Sequence, residues 1–240
     1  MRILSFVCML FFAMGVSAQS PAAERSFDDG MKSATSGEFE KALESYRSAL
    51  MAGGELSPRF TSKLHFNIGV CLYRLDRSAE AIPRFREAIR LRKGNYQKAA
   101  YALGMAEFER KNWANAEQAF EWAIKLNRSD GEAWFDLGMV YVAKSEFEKA
   151  AAAFGNSIIH KGSDSALSHN NVGVILAMKR EFKQAEKEFE KALLLSSGRL
   201  IEARTNLEYC KAQDLRELLA KLVFSRKVRN LENKWTSKQM

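Results

Sequence analysis

Chemistry in a protein needs nucleophiles, acids, bases or metal ligands close together, and this 240-residue chain is sparing with all of them. Its three histidines, His65, His160 and His169, fall in no HExxH pattern and no other spacing that would turn two imidazoles toward one metal ion. Of its three cysteines, Cys8 lies in an apolar N-terminal run, while Cys71 and Cys210 stand far apart with no histidine spaced to activate a thiolate. Glycine-rich phosphate loops and GxSxG elbows are missing. Paired acids such as Glu38/Glu40 and Glu186/Glu188 sit among lysines and read as salt-bridged helix surface, not as general acids and bases. We therefore expect a non-enzymatic protein with no catalytic residues, no metal site, no cofactor and no small-molecule substrate.

The elements that would have to position any such residue are themselves the stronger signal. Five glycines, Gly30, Gly69, Gly104, Gly138 and Gly173, follow one another at steps of 39, 35, 34 and 35. Each is followed twelve residues later by alanine (Ala42, Ala81, Ala116, Ala150, Ala185) and sixteen later by an aromatic (Tyr46, Phe85, Phe120, Phe154, Phe189). A second small residue closes each unit: Ala49, Ala88, Ala123, Ser157 and Ala192. A repeat of this length means a stack of supersecondary units, not one globular core. Within each unit two apolar-periodic stretches of about a dozen residues flank a polar turn such as Leu75-Asp76-Arg77 or the exposed Lys144-Ser145-Glu146, which predicts helical hairpins. Helix spacing places each Gly beside the Ala of the following helix, so that small side chains let the pair approach closely. Pro83, early in its helix, predicts a local tightening and not a break.

The fourth unit, Trp134-x2-Leu137-Gly138-x2-Tyr141 followed by Ala150-x3-Phe154, resembles the tetratricopeptide repeat, and the resemblance extends over roughly residues 23–196. It implies an all-α, right-handed solenoid of five helix-turn-helix units at 23–56, 62–95, 97–130, 131–164 and 166–199. A capping helix over 200–224 and a basic tail over 225–240 follow. In the first unit Asp29 and Ser33 take positions that later units give mainly to Leu, Ile, Val or Tyr, as expected where a terminal repeat faces water. Gly53-Gly54-Glu55-Leu56-Ser57-Pro58 reads as a lengthened surface loop.

In the family that this chain resembles, the first helix of each unit lines a concave groove, through residues three before, one after and four after the Gly. Those positions hold Phe27, Met31 and Ala34; Phe66, Val70 and Tyr73; Tyr101, Met105 and Phe108; Phe135, Met139 and Val142; and Asn170, Val174 and Ala177. None is charged. The Lys and Asn clamp with which some such grooves hold an acidic chain terminus is broken: Phe27 and Met31 replace its first Lys and Asn, and Ala102 its Arg, although Asn67 and Lys98 fit the remainder. An aromatic and methionine-rich stripe predicts an apolar or amphipathic protein segment as guest. Two alternatives stay open: the stripe packs within the stack, or the apolar face of Leu215, Leu218, Leu219, Leu222 and Phe224 folds back onto it and makes a dimerisation or assembly module.

Residues 1–18 stand apart from the repeats. Arg2 precedes an apolar run from Ile3 to Met14, and Val16-x-Ala18 resembles a signal-peptidase site before Gln19. The run is short for a bilayer span, so export with cleavage is expected: periplasmic in a double-membrane bacterium, otherwise secreted. Cys71 and Cys210 lie about four repeats apart, too far for a disulfide, and are expected free and buried. The formal net charge of +8 is concentrated at one end, since residues 211–240 hold eight basic side chains against three acidic ones. A basic tail suits an anionic envelope surface; export argues against nucleic acid.

Overall fold

The computed structural model describes residues 20–52, 56–162, 165–212 and 224. Among them are eleven α-helices: α1 (Pro21–Thr35), α2 (Phe39–Met51), α3 (Pro58–Arg74), α4 (Ser78–Leu91), α5 (Gln97–Glu109), α6 (Trp113–Leu126), α7 (Gly131–Ala143), α8 (Phe147–Ile159), α9 (Ser165–Met178), α10 (Phe182–Leu195) and α11 (Ile201–Ala212). Consecutive helices pack as five antiparallel hairpins, and each hairpin leans on the next. First helices also touch one another across units, α3 on α5, α5 on α7 and α9 on α11. The result is an all-α stack whose core is a spine running from Ala42 to Ile175, continued by a smaller cluster around Val174, Phe189 and Cys210.

The repeat alanines Ala42, Ala81, Ala116, Ala150 and Ala185 are fully buried, as their small size and period require. The glycines meet a different neighbour from the one expected. A Cβ built on Gly30, Gly69, Gly104, Gly138 or Gly173 would lie 2.6–2.7 Å from the ring of Tyr46, Phe85, Phe120, Phe154 or Phe189, and the ring atoms, not the alanine, are its nearest contacts. The aromatic lies across the glycine because its own turn of the second helix faces that point. The alanine makes room elsewhere in the same interface.

The turns inside the hairpins recur with the same fidelity. Seven residues after each repeat glycine the backbone enters the left-handed region, at Gly37, Asp76, Lys111, Ser145 and Arg180. The next amide closes a bond back to the end of the first helix, for example Arg77 N–H to Leu72 C=O at 2.9 Å and Glu146 N–H to Tyr141 C=O at 2.8 Å. This bonding satisfies carbonyls that the helix leaves open. Four of the five turns use a residue other than glycine for it, so glycine did not mark them in the sequence.

Three expectations need correction. Pro58 is not loop: it occupies the first turn of α3, and Ser57 caps that helix by accepting the Phe60 N–H at 3.3 Å. A fixed proline φ and a serine cap suit a helix start, which makes α3 the longest helix among the described residues, at 17 residues. Residues 53–55 lie outside the described residues. Ser33 is buried, not water-facing, while Asp29 is exposed as expected. Lys144 is not a free turn residue; its ammonium sits 2.6 Å from both Glu117 and Glu146, tying α6 to the α7–α8 turn. Pro83 lies within a continuous α4, in keeping with its early position. α11 supplies the first half of the expected cap, burying Ala203, Asn206 and Cys210. The expected leader 1–18, the tail 225–240 and residues 213–223 lie outside the described residues.

Candidate interaction site

The predicted groove stripe divides into two sets. Phe66, Val70, Tyr73, Tyr101, Phe135, Met139, Asn170, Val174 and Ala177 are buried; Phe27, Met31, Ala34, Met105, Phe108 and Val142 are half-buried. The reason is a ring-on-ring arrangement that the period repeats. Three residues before each of the first four glycines stands an aromatic that packs on its own unit's second-helix ring: Phe27 on Tyr46 at 5.7 Å, Phe66 on Phe85 at 6.0 Å, Tyr101 on Phe120 at 5.6 Å and Phe135 on Phe154 at 5.5 Å. These rings stabilise the hairpin through burial and tilted or edge contacts. The half-buried set, Phe27, Met31, Ala34, Met105, Phe108 and Val142, packs against the core with part of each side chain exposed, and Phe108 stands edge-on to Trp113 at 5.1 Å.

Polar side chains on and beside the stripe stitch the first helices together. Tyr101 donates its hydroxyl to the Asp136 carboxylate at 2.5 Å. Asn206 donates to Asn170 at 2.9 Å, and Asn170 to Asn171 at 3.3 Å. Asn67 and Asn171 reach back to the thioethers of Met31 and Met139, at 3.7 and 3.6 Å. Asn67, Asp136 and Asn171 all stand two residues before a repeat glycine, and Asn206 lies one further period on. The signal was therefore present as a polar residue recurring in register on an otherwise apolar face. Ala102 takes that place in the third unit. Glu107 is another buried acid, paired with Arg86 at 2.8 Å and accepting from Asn112 at 2.8 Å. Buried carboxylates need such partners.

The residues first considered for chemistry are scattered over the stack. His169 pairs with Glu188 at 2.6 Å, and this contact together with Lys191 holds the Glu188 carboxyl below its ordinary range. Cys71 and Cys210 are free and buried, and burial pushes the Cys71 thiol up to about 12. Among the described residues no cluster of His, Cys, Asp or Glu could hold a metal ion, and no helix is long and apolar enough to cross a membrane.

Stacked helical hairpins, with small residues at the crossings and an uncharged stripe on the first helices, define a solenoid of the protein-interaction class. The chain belongs to the tetratricopeptide-repeat family, whose profile matches residues 34–100, 101–166 and 135–199. Members of this family generally serve as interaction scaffolds. Solved structures share the fold. The chain is similar to a crystal structure of MamA, with 27% identity over 70% of this chain and 94% of that one and a TM-score of 0.64. It is also similar to MamA 41-end from Desulfovibrio magneticus RS-1, at 20% identity over 76% and 99% with a TM-score of 0.67. A third neighbour is YrrB, described as a TPR protein with an unusual peptide-binding site, at 22% identity over 78% and 92% with a TM-score of 0.64. Among curated proteins none matches the chain.

Proposed function

We propose that this chain is an exported, non-enzymatic scaffold of the cell envelope that holds an apolar helical or extended segment of a partner protein along its first helices. The observation that carries this reading is the half-buried, uncharged set Met31, Met105, Phe108 and Val142, each partly exposed while Phe66, Tyr73, Tyr101 and Phe135 are buried. Methionine adapts to varied apolar surfaces, and phenylalanine offers contact area at small entropic cost. Export is supported by Arg2, the Ile3–Met14 run and Val16-x-Ala18. Affinity capture from the native envelope fraction, with intact chain and a Met105→Ala/Phe108→Ala variant, tests the first claim. The variant should fold and lose its main partner. N-terminal sequencing tests the second, and should start at or near Gln19.

One contact, to a second helix and not to the stripe itself, bears on a second reading, in which the chain's own C-terminal region folds back over this surface and makes it an assembly module. The Phe224 ring stacks on Phe147, the first residue of α8, with centroids 6.4 Å apart and planes 4° from parallel. Phe224→Ala should then strengthen partner binding or change the oligomeric state measured by light scattering. If neither changes, this reading fails.

A further inference from the structure

Between α2, α3 and α4 lies a cavity of about 360 Å³ that none of the stripe residues lines. His65 of α3 forms part of its wall, and the Nδ1 of that ring is buried with no hydrogen-bond partner. A proton on Nδ1 would be a buried donor with no acceptor, so the neutral tautomer carrying its proton on Nε2 is favoured. Burial, with the Arg84 charge beside it, also holds the imidazole below its ordinary range and keeps it neutral. The half-buried ring thus offers the cavity an Nε2–H donor.

The charges around the cavity are not balanced. Its two carboxylates are already taken: Glu80 accepts both the Nε and an Nη of Arg77 at 2.7 Å, and Glu87 accepts those of Arg90 at 2.7 and 2.6 Å. Arg47, exposed, and Arg84, half-buried, line the same cavity; after the Arg77 bonds their charges also help hold the Glu80 carboxyl below its ordinary range, but neither makes a direct ion pair among the described residues. Two guanidiniums and an imidazole therefore line one space whose carboxylates are bonded directly to Arg77 and Arg90 instead. A guanidinium fork matches a carboxylate's two oxygens, and such bonds are stronger than neutral ones. The α4 wall, which also carries Arg84, offers an acceptor. Pro83 has no N–H, so the Ala79 carbonyl four residues earlier lacks its helical donor.

We infer that this cavity receives an acidic peptide segment, with a Glu or Asp side chain held by Arg47, Arg84 and His65 and a neighbouring peptide N–H offered to the Ala79 carbonyl. Leu72 and Pro83 give an adjoining apolar side chain a surface to rest on. This inference rests on the scaffold reading but uses other residues than the stripe, so the two can fail separately.

The test is a titration of the full chain with the capped peptide acetyl-Leu-Glu-Leu-Gly-amide. The read-outs are the His65 ring resonances and isothermal calorimetry. Parallel arms use the Gln counterpart of the peptide and inorganic phosphate. The Glu peptide should shift the His65 signals, and the Gln peptide should bind at least tenfold more weakly. Arg47→Ala/Arg84→Ala, the first exposed and the second half-buried, should keep the far-UV circular dichroism of the parent and weaken the Glu peptide at least tenfold. Met105→Ala/Phe108→Ala should leave this binding unchanged. Three results would overturn the inference: no His65 shift with the Glu peptide, equal affinity for the Glu and Gln peptides, or phosphate binding as tightly as the Glu peptide. The last would mark a general oxyanion site.

Discussion

Tyr101 and Asp136, 35 residues apart, meet as a hydroxyl donating to a carboxylate at 2.5 Å, and both are buried. Their separation is one residue more than the 34-residue step from Gly104 to Gly138, so the bond joins neighbouring positions on equivalent helices of successive units, α5 and α7. Burial and the Asp136 charge push the Tyr101 phenol well above its ordinary range, so it stays a donor. Removing the hydroxyl by Tyr101→Phe withdraws a donor from a buried acid while keeping the ring on Phe120. We expect a loss of about 1–3 kcal/mol. Urea denaturation checks it; a loss within about 0.5 kcal/mol, the range of neutral surface changes, would show the bond to be dispensable.

Two glycines in the fourth unit should respond in opposite directions. A Cβ at Gly138 would stand 2.6 Å from the Phe154 ring, whereas one at Gly155 in α8 meets nothing within 4 Å. Gly138→Ala should therefore destabilise by about 1–3 kcal/mol through overpacking. Gly155→Ala should stabilise by up to about 1 kcal/mol, because alanine loses less backbone freedom in a helix. Thermal melts of the two variants decide the matter.

The stripe's two sets should separate in a binding assay. Phe135 is 3% exposed, so Phe135→Ala should cost about 3–5 kcal/mol of stability and report on folding, not on partner contact. Met105→Ala/Phe108→Ala, at half-buried positions packed on the core, should lower the melt less than Phe135→Ala, keep the helical circular dichroism and cost about 2 kcal/mol of affinity, close to thirtyfold. Partner capture alongside circular dichroism distinguishes the two effects. Equal loss of fold in both variants would remove the accessible surface on which the scaffold reading depends.

Glu188 gives a pH signature. Its folded carboxyl is held below the ordinary range by His169 and Lys191, so the interaction stabilises the fold fully above the unfolded value, about 4.3. That contribution disappears as pH falls below this value and through the lowered folded one. Glu188→Gln should accordingly be less stable than the parent at neutral pH, and the gap should narrow as pH falls below the unfolded value of about 4.3. Denaturation curves at neutral pH and below that value measure it, and a gap that does not narrow would sink the assignment.

The sequence by itself determined the repeat. A glycine, an alanine and an aromatic at fixed offsets can recur only if each unit packs the same hairpin, so helix count, pairing and family were legible from Gly30 to Phe189. Burial of the alanines, and of Cys71, followed from size and register alone. Other features were decided in three dimensions. Helical periodicity says which residues share a face but not how deep that face lies, so Tyr101 and Phe135 looked like Met105 and Phe108 until the second-helix rings were in place. The left-handed turns at Asp76, Lys111, Ser145 and Arg180 carry no glycine, because the surrounding bonds hold the backbone there without one. The seams between units depend on partners about one period away, such as Asn206 with Asn170 and Tyr101 with Asp136. The cavity beside His65 exists only because α2, α3 and α4 converge there. Local pattern fixes the hairpin; contacts between hairpins fix what its surface can hold.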